Sequence, residues 1–257
     1  MKQVLNFGTA VAAFCALMTT AKAATDESVT ETRTVDIRVV RVKIDGVIDL
    51  KLRQGSPAGL VLVGEKKLMS KTTTEQHGDT LNIGTETRGF KLHQRGNGLR
   101  AELTLPQLRE VASESVGWTE IAGFSGDELE LSLDGAGSMK VNCNYRVVTA
   151  SLSGVGHMQI QGDHSEGIDL SLHGAGYVTL SGRSKWLKAD LGGLGGLDAQ
   201  HFQVDTVNLA LSGLGNASVS ARQNATLNLS GMGSVAVYGK PLNRSVSIDG
   251  LGKVSWK

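Results

Sequence analysis

The residues of this 257-residue chain best placed for chemistry are the carboxylates and histidine of the run Asp163-His164-Ser165-Glu166-Gly167-Ile168-Asp169. Carboxylates gathered on one outer face can give and take protons at a glycosidic bond. A polysaccharide-cleaving enzyme is therefore one reading of this run, and a solvated polar turn is the other. Asp127, Glu128, Glu130 and Asp134 offer the oxygen ligands that Ca²⁺ takes, without the fixed spacing of a calcium loop. His157, His164, His173 and His201 fall in different positions of the pattern described below, so they do not compose a zinc set. Gly192-Gly193-Leu194-Gly195-Gly196 has the composition of a phosphate loop, but Leu197-Asp198-Ala199 continues as a strand where a helix would have to follow. No Gly-x-Ser-x-Gly elbow is present between a strand and a helix. These patterns give no catalytic constellation, and no cofactor or metal is expected.

The elements that carry these residues are copies of one phrase. A Gly-x-Gly core recurs at Gly135/Gly137, Gly154/Gly156, Gly174/Gly176, Gly193/Gly195, Gly213/Gly215, Gly231/Gly233 and Gly250/Gly252, at steps of 19, 20, 19, 20, 18 and 19 residues. Two and four residues before the first glycine stand apolar columns that begin Leu133 and Leu131. Four and six residues after it stand columns that begin Met139 and Val141, the last of which ends at Trp256. Alternation of apolar and polar residues on both sides of the glycines means a half-buried strand on either side of a corner. A phrase that returns at 18–20 residues, with like residues above like, stacks in parallel as a solenoid. The fold expected is all-β: a single-stranded right-handed parallel β-helix with rungs of about 19 residues and a rise of about 4.8 Å. Glycine at each corner supplies either positive φ or room for stacked backbones. The residue between the glycines forms a further apolar column: Ala136, Val155, Ala175, Leu194, Leu214, Met232 and Leu251. Because long exposed apolar stripes are rare on soluble proteins, this column is expected in the core.

Taken in order, residues 1–23 have the form of a signal peptide. Lys2 precedes an apolar run from Leu5 to Met18, and Ala21-Lys22-Ala23 suits cleavage after Ala23. Residues 24–33 are polar and read as a flexible start, and 34–257 as one β-helix domain whose regular rungs occupy 131–257. Gly96-Asn97-Gly98 and Ser115-Val116-Gly117 keep the repeat's step in a blurred form. The sequence has 26 Lys and Arg against 25 Asp and Glu, and no basic block, which argues against a nucleic-acid partner. Beyond the leader Cys143 is the single cysteine, so no disulfide framework is expected.

Ile44-Asp45-Gly46-Val47-Ile48-Asp49-Leu50, the Leu103-Thr104-Leu105-Pro106 strand and the serial (Ser/Asp)-Gly-x-Gly rungs together resemble the bacterial putative auto-transporter adhesin, head GIN domain family. The resemblance covers roughly residues 34–257. It implies a β-helix-like fold in an exported or envelope-associated protein with an adhesive role.

The reading is thus a non-enzymatic binding or structural module outside the cytoplasm: periplasmic, on the outer-membrane surface or secreted. The partner expected is a glycan or an envelope protein, engaged along outer columns that include Asp134, Ser153, His173 and Tyr177. Two alternatives stand beside it: the carbohydrate-active enzyme already named, and a self-assembling envelope subunit. The latter would pair through an uncovered C-terminal rung at Trp256.

Overall fold

The computed structural model describes residues 28–86 and 98–257. The leader with its cleavage site, and Gly96-Asn97 of the blurred repeat, lie outside the described residues. The N-terminal strands are β1 (Ser28–Thr34), β2 (Arg41–Asp45), β3 (Ile48–Gln54) and β4 (Gly59–Glu65), followed by a single helical turn, α1 (Lys66–Met69). Next come β5 (Thr72–His77), β6 (Thr80–Thr85), β7 (Leu99–Leu105) and β8 (Glu110–Ser113). The regular rungs are β9 (Trp118–Leu133), β10 (Ser138–Leu152), β11 (His157–Leu172), β12 (Tyr177–Leu191), β13 (Gly196–Leu211) and β14 (Asn216–Leu229). β15 (Ser234–Tyr238), β16 (Asn243–Ile248) and β17 (Lys253–Trp256) complete the chain. Among the described residues no helix is long and apolar enough to cross a membrane.

The repeat folds as a parallel β-solenoid of about 7 turns with about 20 residues per turn. Each long strand pairs in parallel with the strands before and after it. Met139 lies beside Thr119 and Met158, and Leu152 beside Leu133 and Leu172. Each strand is bent midway, so a rung contributes to two faces that meet at the glycine corner on one side and at a wider bend on the other. Register shifts fall at the wide bend: between Cys143 and Val147, between Asp163 and Ser165, and between Ala199 and Gln203. The step varies between 18 and 20 residues for this reason. The extra residues are absorbed at the bend, and the glycine corners stay in line.

Between the faces the apolar columns close into one core. Leu131, Leu133, Met139 and Val141 and their successors up to Val237 are buried, as the alternation requires. Each such side chain removed from water contributes roughly 2 kcal/mol before entropy is counted. The wide bend adds Phe124, Tyr145 and Phe202. The Tyr145 hydroxyl, buried, donates a 2.6 Å hydrogen bond to the Leu108 carbonyl.

Two features depart from the sequence reading. Residues 28–33, part of the 24–33 stretch expected to be a flexible start, lie in strand β1, which pairs antiparallel along β4 from Ser28–Glu65 to Thr34–Gly59. The N-terminal rungs are also out of chain order. β2 pairs in parallel with both β6 and β8, and β3 with both β7 and β9. The coil made by residues 41–54 is thus inserted between the coil that contains β6 and β7 and the coil that begins at β8. Antiparallel β4 and β1 lie outside β7, and β5 lies outside β6.

Candidate functional site

The glycine corner is built by backbone stacking. Val155, Ala175, Leu194 and Leu214 each donate their N–H to the first-glycine carbonyl of the preceding rung, at 3.1–3.2 Å. A Cβ on Gly154, Gly174, Gly193, Gly213 or Gly231 would overlap that same carbonyl oxygen. Gly156, Gly195, Gly215 and Gly233 would meet the second-glycine carbonyl in the same way. At the first regular corner the blurred rung takes that part: Gly135 lies against the Ser115 carbonyl and Gly137 against the Gly117 carbonyl.

The seven corners are not equivalent, as the repeat alone would have them. At Gly176 the first obstacle is a side chain, Leu152 Cδ2, and the Gly156 carbonyl stands further off at 2.8 Å. At Gly252, in the last rung, a Cβ would meet Leu229 Cδ2 at 3.0 Å and the Gly233 carbonyl at 3.2 Å, a looser fit than at the second glycines before it. Close approach of stacked backbones, and not positive φ, therefore governs the corners from Gly135 to Gly233, and its hold loosens at the C-terminal end. Among these repeat glycines only Gly250 has positive φ, at +153°.

The middle column is not core. Val155 is 64% exposed, Leu194 66%, Leu214 55%, Met232 60% and Leu251 81%, with Val116 of the preceding blurred rung at 41%. Ala136 and Ala175 are at the surface as well. The cause is parity. Leu133 points in, Asp134 out, Ala136 out, Ser138 out and Met139 in, so the two-residue alternation runs unbroken through the corner and puts the middle residue outside. Seven steps from Val116 to Leu251, at the strand spacing, give an apolar ridge on the order of 34 Å long.

Two outer columns flank the ridge. On one side are Asp134, Ser153 and His173, then Gly192, Ser212, Ser230 and Asp249; on the other are Ser138, His157 and Tyr177, then Gly196, Asn216, Ser234 and Lys253. The expected ladder residues Asp134, Ser153, His173 and Tyr177 are therefore all exposed, but Tyr177 stands across the ridge from the other three. The His157 and Tyr177 rings stack at 6.0 Å with an 11° interplanar angle. Tyr177 lies over Gly196, where a Cβ would come within 2.7 Å of the ring, and His173 lies over Gly192 in the same manner. Partial burial, with the charge of Asp198, pushes the Tyr177 hydroxyl pKa upward. Asp134 accepts a 2.6 Å bond from Ser132, and Ser234 donates one of 2.6 Å to Asn216. Between Ser153 and Ser230 neither column holds an Asp, Glu, Lys or Arg.

The acidic run is at the opposite, wide-bend side. Asp163 is exposed there beside the register position of Arg183, and two of the run's three carboxylates, Glu166 and Asp169, are tied to cations one rung away. Glu166 accepts from Lys185 Nζ at 2.7 Å and from Arg146 at 3.1 Å; Asp169 accepts from Lys188 at 2.8 Å. Arg146 also reaches Asp127 at 3.7 Å and Glu128 at 3.6 Å. The Lys185 and Arg146 hydrogen bonds hold the Glu166 pKa below the ordinary carboxylate value, the opposite of what a general acid needs. The repeat offsets carry these contacts, for 146, 166 and 185 are 20 and 19 residues apart, and that is the signal by which the sequence could have given them. Among the described residues no three His, Cys, Asp or Glu side chains converge as a metal site. Cys143 is buried, and burial pushes its thiol up to about 12. Trp256 is packed against the end of the core with the Arg244 guanidinium 4.4 Å above its ring.

An elongated solenoid with an exposed ridge, and with Glu166 and Asp169 of its acidic run paired to cations, has the build of a binding module. The chain belongs to the family described as putative auto-transporter adhesin, head GIN domain, which it matches over residues 40–241. The family's name places it among exported or envelope-associated proteins. Solved structures share the fold. A putative adhesin from Parabacteroides distasonis is 19% identical, with a TM-score of 0.80 over 91% of this chain and 98% of its own. One from Parabacteroides merdae is 19% identical, with a TM-score of 0.80 over 91% and 97%. A putative lipid binding protein from Parabacteroides distasonis is 20% identical, with a TM-score of 0.74 over 89% and 96%. The curated proteins include no match.

Proposed function

We propose that this chain is a non-catalytic binding module of the bacterial envelope and that it engages its partner through the glycine-corner face. The observation that carries the reading is the uninterrupted ridge between two polar columns that lack charge through five rungs. A surface that repeats at the rung spacing suits a partner that is itself extended and repetitive, such as a glycan strand or a neighbouring envelope protein. The His157–Tyr177 stack adds an exposed aromatic face beside it. The leader pattern supports a place on the far side of the inner membrane, and the mature N-terminus is expected at Ala24 by mass spectrometry.

The test is attachment of beads coated with the protein to peptidoglycan sacculi, outer-membrane vesicles and immobilised neutral polysaccharides. Attachment to at least one is expected, falling about tenfold or more for the Leu194→Asp, Leu214→Asp double variant. The Glu166→Gln variant should attach like the wild type. Release of reducing ends from a polysaccharide, abolished by Glu166→Gln, would instead return the enzyme reading. Failure to attach to any of these surfaces would remove the proposal.

A further inference from the structure

The ridge is large for a surface left to water. Its exposed side chains amount to on the order of 500 Å² of apolar area, at the upper end of what a single protein ordinarily leaves uncovered. A standard protein interface takes about 800 Å² from each partner. The ridge together with its two flanking columns supplies an area of that order, with its apolar part at the centre and its polar part at the rim.

The shape suits a partner with the same period. On either side of each ridge residue from Ala136 to Leu251 is a glycine, so a strip of bare backbone separates the ridge from each polar column. A second ridge with the same rise can lie in that strip with its side chains in step. Charge decides the direction. With a two-fold axis parallel to the ridge, every rung faces its own counterpart, and the column before the ridge faces the column after it. Asp249 of one copy then meets Lys253 of the other, twice by symmetry. Neither residue enters an ion pair within the described chain. The reversed arrangement would instead set Asp134 against Asp249. A bilayer is a poorer occupant: helices and loops that insert aliphatic side chains carry basic residues beside them, and the two flanking columns offer only Lys253.

We infer that the partner of this face is a second copy of the chain, docked ridge to ridge in the same direction about a two-fold axis along the solenoid. This rests on the reading that the corner face is the binding surface.

Disulfide trapping tests it, on the Cys15→Ser protein with the buried Cys143 left in place. Leu214→Cys and Met232→Cys should each cross-link with themselves under mild oxidation, because same faces same. Light scattering at concentrations above about 1 µM should give twice the protomer mass. Leu194→Asp with Leu214→Asp should give the monomer, at an unchanged circular dichroism spectrum. Lys253→Asp should weaken the dimer, and Asp249→Lys added to it should restore it. A monomer with no cross-link at either position would overturn the inference. So would a cross-link confined to mixtures of Met232→Cys with Val155→Cys, which marks the reversed arrangement. Dispersal by Trp256→Lys with the ridge variants silent would move the contact to the end of the solenoid. A monomer that floats with phosphatidylcholine vesicles, unless Leu214→Asp is present, would make a bilayer the occupant. If a monomer still attaches to envelope surfaces through the ridge, the proposed function stands and this inference falls. If dimers form but no surface is bound, the reverse holds.

Discussion

At the scale of single residues, the corner glycines act through the rung before them and the wide-bend carboxylates through the rungs on either side. Gly213→Ala would push a Cβ into the Gly193 carbonyl, which only a backbone shift can relieve. It should lower unfolding free energy by about 2 kcal/mol or more. Gly59→Ala meets nothing within 4 Å and should be neutral or stabilising by about 0.5 kcal/mol. Urea melts of the two variants check the contrast. Glu166, whose folded pKa lies below its usual 4.5, contributes stability that is present above that value and lost as pH falls through the folded pKa. The Tm difference between wild type and Glu166→Gln should therefore shrink as pH drops below the ordinary glutamate range, and Arg146→Ala should raise the Glu166 midpoint in an NMR titration. Buried Cys143, with its raised pKa, should not react with a thiol reagent at mildly alkaline pH until the chain unfolds. The corner glycines and the apolar columns are legible in the sequence because period and residue type coincide. The outward ridge is legible too, by counting parity from Leu133 to Ala136. An inward placement follows only if the rarity of exposed apolar stripes is given more weight than the local alternation, which puts the middle residue outside at every corner. What the letters alone do not give is the looser fit at Gly252, because that depends on how far the last rung stands from Leu229.

At the scale of elements, the two turns of each rung tolerate change differently. The wide bend already accommodates the two-residue difference between the rung that leads to Gly213 and the one that leads to Gly231. One residue inserted between exposed Arg222 and Gln223 should move Tm by only about 2 °C. One residue inserted between Leu214 and Gly215 reverses the facing of everything up to the next bend. It should abolish the cooperative transition of the C-terminal rungs, as followed by Trp256 fluorescence. The elements of the regular half can be read from the chain because parallel neighbours there are consecutive copies. The N-terminal half cannot. β2 and β3 have the alternation of any rung, and nothing in that alternation says that their neighbours are β6 to β9 instead of the next segment along. β1 escapes a sequence reading for a related reason: Thr-rich alternation without an apolar face looks unstructured until β4 supplies its hydrogen bonds.

At the scale of the whole molecule, the two ends are unequal. At one end antiparallel β1, β4 and β5 cover the stack. At the other, Val246 and Ile248 are 41% and 46% exposed, although the same columns are buried in the rungs before them. Opening free energy in a stack of rungs depends on nearest neighbours. Amide exchange should therefore be fastest in Asn243–Trp256 and slowest around Leu170 to Leu209. The displaced coil at 41–54 has a mechanical consequence. Pulled from its C-terminal side, the solenoid should peel one rung at a time, each freeing roughly 65 Å of chain. Pulled from the other side, it has no such first rung to give up. Leu50 is held by Ala101 above and Thr119 below, so drawing out that coil breaks both ladders together. The force trace should then show one release several times longer than a rung: this end would behave as a lock, the other as a zip.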